Sequence, residues 1–113
     1  SNLGWAYYYQ NMYRQAGTYF NRSLDFRPHF INAVHGLASV YLRQKKYSKA
    51  LSFIQASIEK KPGAAILHAD LAKAYEGIGN YSRARKAWGK VLNMVPERSP
   101  LAKEAISHLS GYN

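Results

Sequence analysis

Large apolar residues and small residues return along this chain at a fixed interval. Shifted against itself by 34 positions, the sequence aligns Leu3 with Leu37 and Leu71, then Gly4 with Ala38 and Ala72. Tyr7, Tyr41 and Tyr75 follow, then Tyr13, Tyr47 and Tyr81. Ala16, Ala50 and Ala84 come next, then Phe20, Ile54 and Trp88, then Leu24, Ile58 and Leu92. Pro28, Pro62 and Pro96 close each unit. A period in this range marks a stack of supersecondary units.

Each column has a physical meaning. A Leu followed four positions later by a Tyr is a helical stripe. The small residue beside the Leu lets a second helix approach, and the Ala16, Ala50 and Ala84 column does the same from the other side. Phe20, Ile54 and Trp88 are large enough to fill the space next to those contacts. Proline cannot continue a helix and biases the preceding residue out of helical geometry, so it ends each unit. The pattern predicts helices near 2–11, 14–26, 30–43, 47–60, 64–77, 81–94 and 99–110. Gly79-Asn80 marks a turn, and Ser99-Pro100 reads as an N-cap followed by proline in the first helical turn.

These columns resemble the tetratricopeptide repeat, a helix–turn–helix unit of the same length, and the resemblance covers almost the whole chain. It implies an all-α fold: an α-solenoid of three such repeats, about 1–30, 31–64 and 65–98, plus a C-terminal capping helix at 99–110. Ala105, Ile106 and Leu109 fall in the columns of Leu71, Ala72 and Tyr75, and Ile106 replaces the small residue that would admit another helix. The opening Ser-Asn has the look of a cleavage scar. The chain is therefore expected to be one domain from a longer protein, with the start of its first unit cut away.

The resemblance also implies where a partner would bind. In the family, the first helices of successive units line a concave groove for peptides or proteins. If Leu3 and Tyr7 pack inward, Trp5, Tyr8 and Tyr9 lie on the groove side. Later units place Asn32, His35, Ser39, Arg43, Ile66, Lys73 and Glu76 there, with Leu42 beside Arg43 and Lys103 and Ser107 on the last helix. Aromatic pockets would take apolar side chains, and Arg43 and Lys73 a carboxylate. A competing reading has Trp5, Tyr8 and Tyr9 packing against a preceding repeat, and Arg43 and Lys73 as solvated charges. One branch of the family clamps acidic chaperone tails with Lys, Asn, Asn, Lys and Arg. The matching positions are Ser1, Trp5, Gly36, Ile66 and Asp70, and none fits.

Charge changes the picture in one respect. Sixteen basic residues against six acidic ones give a net charge of +10, which favours acidic partners. Arg43, Lys45, Lys46 and Lys49 cluster at one turn, and Arg83, Arg85, Lys86 and Lys90 on one helix. An anionic polymer, nucleic acid or acidic polysaccharide, is thus the alternative partner. A third reading makes the chain an internal spacer of a longer solenoid. The bland reading of the basic clusters is a solvated exterior.

Catalytic chemistry finds little support. With no Cys, disulfides and thiolate metal sites are excluded. His29, His35, His68 and His108 show no i, i+4 pair, though His35 and His68 could approach across neighbouring helices. No carboxylate pair suggests acid–base work, and "KPGAA" is a turn without the rest of a phosphate loop. No apolar run reaches the roughly 18 residues of a membrane span. The expectation is a non-catalytic binding module without cofactor or metal.

Overall fold

A computed structural model describes residues 2–112. Among these, seven helices follow one another: α1 (Asn2–Tyr9), α2 (Tyr13–Phe26), α3 (Ile31–Arg43), α4 (Tyr47–Lys60), α5 (Ala65–Ile78), α6 (Tyr81–Met94) and α7 (Pro100–Ser110). Their boundaries follow the predicted ones closely. The exception is α1, which ends at Tyr9 instead of residue 11. Asn11 has turned into left-handed backbone at φ 62°.

That turn is itself repeated. Asn11, Lys45 and Gly79, each 34 positions apart, all have positive φ. In each turn the following N–H, from Met12, Lys46 or Asn80, reaches back to the carbonyl of Tyr7, Tyr41 or Tyr75 at 2.9 Å. The left-handed residue reverses the chain, and the long-reaching bond satisfies a carbonyl that the ending helix would leave open. Only the third turn has the residue that pays no steric cost there, Gly79. It is also the only one of the three in which a side chain caps the next helix, Asn80 Oδ1 accepting from the Arg83 N–H at 3.2 Å. The last helix is capped likewise, with Ser99 accepting from the Ala102 N–H.

The core is built from the repeat columns. Ala16, Ala50 and Ala84 are fully buried, and so are Phe20, Ile54 and Trp88. The Phe20 ring is wedged between two first helices: a Cβ at Gly4 would lie 2.6 Å from it, and one at Gly36 2.3 Å. Gly36 belongs to no column used above, yet it leaves the space that the ring fills. Leu3 departs from expectation. It is 55% exposed rather than packed inward, since no described element covers that side of α1.

Neighbouring first helices touch: α1 meets α3, α3 meets α5, and α5 meets α7. The second helices α2, α4 and α6 bring no Cα atoms within 8 Å of one another. Helices packed close on one side and spread on the other curve the stack, with the first helices on its inner face. Ile106 on α7 is 51% exposed, so the bulky residue in the small-residue column faces no further described helix.

Two expected outcomes test this packing. Gly36→Ala places a methyl group where the Phe20 ring lies and should destabilise the chain by about 1–3 kcal/mol, despite the better helix propensity of Ala. Lys45→Gly relieves the left-handed strain and should raise stability by up to about 1 kcal/mol. Urea denaturation followed by circular dichroism measures both.

Candidate functional site: a polar groove across the first helices

The groove begins with a cluster of rings. Trp5 stacks on Tyr9 at 5.9 Å and meets Tyr8 edge-on at 5.3 Å. It also packs on the buried Phe20 ring at 5.0 Å and lies beside His35 at 5.3 Å. Its indole N–H donates to Asn32 Oδ1 at 3.0 Å. Trp5 therefore ties α1 to α2 and α3, while Tyr9, 76% exposed, presents its ring to solvent.

Next along the groove, Arg43 Nε donates to the Tyr8 hydroxyl at 3.1 Å. Its guanidinium faces this phenol rather than a carboxylate. The same bond raises the Arg43 pKa above its ordinary value. A cavity of about 330 Å³ opens here, lined by Tyr8, Ser39, Leu42, Arg43, Tyr47, Asp70 and Lys73. Its walls thus come from α1, α3, α4 and α5. Tyr47 reaches it with its ring against Gly77, where a Cβ would come within 2.2 Å.

Asp70 is the most unusual member. It is 1% exposed, and its Oδ2 lies 2.7 Å from His35 Nδ1. Its Oδ1 is buried and has no hydrogen-bond partner among the described residues. Burial pushes the Asp70 carboxyl above the ordinary range, with the His35 hydrogen bond and charge working against it. An acceptor left unsatisfied in this way costs on the order of 1–3 kcal/mol.

Other predicted groove residues are engaged within the chain. Lys73 Nζ pairs with Glu104 at 2.9 Å, joining α5 to α7. Glu76 faces α6 and α7 instead of lining this cavity. Its Oε2 accepts from the Trp88 indole at 3.2 Å and lies 2.8 Å from His108 Nδ1, and it also accepts from the Tyr112 hydroxyl. Burial pushes the Glu76 carboxyl up, but the bonds from Tyr112, His108 and Trp88 outweigh it and leave it below the ordinary range. Conversely, burial and the Glu76 bond push the Tyr112 phenol up. Ser39 is buried, its hydroxyl donating to the His35 carbonyl at 2.8 Å. Ile66 is half-buried at the start of α5, outside the cavity. Lys103 and Ser107 are exposed on α7.

His35 and His68 do not form a pair. His35 turns to Asp70, while His68 is buried with Nε2 3.0 Å from the Pro62 carbonyl. Of the basic clusters, Lys49 sits over the Tyr41 ring and Arg83 over Tyr75, equivalent positions one repeat apart, and Arg85 over Tyr112. Such stacking holds part of the basic surface against the chain's own aromatics.

The cavity also takes in Asp70 and Tyr47, which helical spacing does not place in the groove. A signal for the first exists: Tyr8–Arg43 and His35–Asp70 are both separated by 35 positions. Pairs read at one repeat plus one residue face each other across neighbouring first helices.

Residues 9–91 match a family model described as anaphase-promoting complex, cyclosome, subunit 3. Over 90 residues, 80% of the chain, the sequence is 30% identical to tetratricopeptide repeat protein 8 of Homo sapiens. The chain belongs to the tetratricopeptide-repeat family. It spans only 16% of the length of that relative. Among the solved structures that share the fold are two helical-repeat domains. The first TPR of Spaghetti (RPAP3), bound to an HSP90 peptide, superposes with a TM-score of 0.82 at 21% identity, covering 98% of this chain and 87% of its own. The N-terminal domain of stress-induced protein-1 from C. elegans gives 0.71 at 22% identity, covering 94% and 88%.

The Glu76 cluster gives a prediction with a definite sign. A carboxylate held below its ordinary value stabilises the fold above its unfolded pKa, about 4.5, and loses that effect as pH falls through the lower folded value. Glu76→Gln should cost about 1–2 kcal/mol at pH 7, and its deficit against the parent should shrink below pH 4.5. Thermal melts from pH 7 to pH 3 read the difference. Amide exchange along α7 should speed up in the variant at neutral pH.

Proposed function

We propose that this tetratricopeptide-repeat domain is a non-catalytic interaction module that holds a peptide segment of a protein partner in its concave groove. The observation that carries this reading is the cavity at the middle of the inner face, with walls from four helices and both apolar and charged side chains. Such a chamber accepts a side chain, whereas a flat polar surface does not. The exposed Tyr9 ring beside it, stacked on Trp5, offers a platform for an apolar residue of the same segment.

The fold neighbour bound to an HSP90 peptide supports a peptide as the kind of ligand. The clamp for acidic chaperone tails is not carried over with the fold. Position 5 holds Trp, position 36 the Gly that admits Phe20, position 66 Ile, and position 70 a buried acid. Ser1, the remaining clamp position, lies outside the described residues. A buried Asp in place of a clamp Arg repels a ligand carboxylate instead of pairing with it.

A displayed library of random linear peptides tests the groove. The parent chain should enrich a set of peptides. A variant carrying Tyr9→Ala, Arg43→Ala and Lys73→Ala, with equal helicity, should bind them at least tenfold more weakly, about 1.4 kcal/mol. Equal binding by both proteins would remove the groove as the binding surface.

A further inference from the structure

We infer that the groove cavity recognises a carboxamide side chain, Asn or Gln, of the bound peptide, with Asp70 as the specificity-determining acceptor. The inference rests on the groove reading above and names what its central chamber selects.

Asp70 belongs to the wall of the cavity, is 1% exposed, and has one oxygen bonded to His35 while the other has no partner. With Oδ2 paired to the His35 ring nitrogen, Oδ1 is left as an acceptor, and in the ionised pair only a donor can complete it. A ligand carboxylate cannot do so and would meet a like charge. An ammonium or guanidinium can donate, but Arg43 and Lys73 line the same chamber. The Lys73 charge is answered by Glu104, whereas Arg43 faces only the Tyr8 hydroxyl. A second guanidinium would therefore meet the Arg43 charge at close range.

A carboxamide resolves both demands. Its N–H groups donate to Asp70 Oδ1, and its carbonyl accepts from the cationic side of the chamber. Nitrogen and oxygen sit on separate arms of one plane, so one neutral group addresses an acidic wall and a basic wall together. A hydroxyl offers both functions from a single atom and spans less of the chamber. Leu42 and Tyr47 supply apolar surface for the methylenes behind the amide. The Asp70 oxygens lie under cover, so a ligand amide reaches Oδ1 only if the lining side chains shift, which for Arg43 and Lys73 means loosening the Tyr8 and Glu104 contacts.

The peptide library provides the test. Groove-bound peptides should share Asn or Gln at one position. On a selected peptide, changing that residue to Asp or to Leu should weaken binding to the parent chain at least tenfold by calorimetry. Asp70→Asn puts a donor where the acceptor was, so it should abolish the carboxamide preference and favour the Asp-containing peptide. Equal helicity and melting of Asp70→Asn would be checked; were it unfolded, the peptide substitutions alone decide. Peptides lost with the Tyr9, Arg43 and Lys73 variant but carrying Arg, Lys, Ser or no fixed residue would overturn the inference and leave the groove standing. An unchanged preference in a folded Asp70→Asn would do the same. Selection of no peptide, or of peptides indifferent to the groove variant, would overturn both.

Discussion

Every repeat depends on one contact: a large side chain from the second helix driven into the space left by small residues on the first. Phe20, Ile54 and Trp88 are buried without exception, and Ala16, Ala50 and Ala84 beside them are equally so. Close-packed interiors leave no tolerance for an added methyl group at such a crossing. The contact also sets the curvature. It draws the first helices together while the second helices stay apart, and a concave face results. The groove is a consequence of how the core is packed rather than a separate device.

The wedge also decides which residue can face it from the inner helix. Where it is Phe20, the facing position must be Gly36, because any Cβ would meet the ring. One repeat later the wedge is the smaller Ile54, and the position equivalent to Gly36 is Asp70. The same site in the repeat thus carries a spacer in one unit and a buried carboxylate in the next. Burying that carboxylate is unfavourable, and the single bond to His35 relieves only one of its oxygens. Groups kept at such expense concentrate where a chain does something other than fold.

The fold was legible in the sequence because each column reports one residue type doing one job. Leu, Ala, Tyr and Pro at equal spacing placed six of the helices to within a residue. The α1 boundary fell two residues short because Asn11 enters left-handed backbone, a conformation Asn adopts more readily than most side chains. Leu3 failed for a related reason. A column predicts burial only where a neighbour supplies the other half of the contact.

The groove was harder to read, because its chemistry lies in pairs rather than in columns. Helical spacing put Tyr8, Ser39, Arg43 and Lys73 on the inner face, and they do line one cavity. The same spacing put Glu76 there, yet Trp88, His108 and Tyr112 converge on it and turn it into the joint that fastens α7. No periodicity reveals which carboxylate will be claimed by a neighbour. Separation does better. Side chains one repeat plus one residue apart meet across adjacent first helices, as Tyr8 meets Arg43 and His35 meets Asp70. A residue on the inner face is therefore open to a ligand only to the extent that its partner at that separation leaves it so. By that measure Asp70 is the buried inner-face carboxylate that its partner His35 leaves half answered.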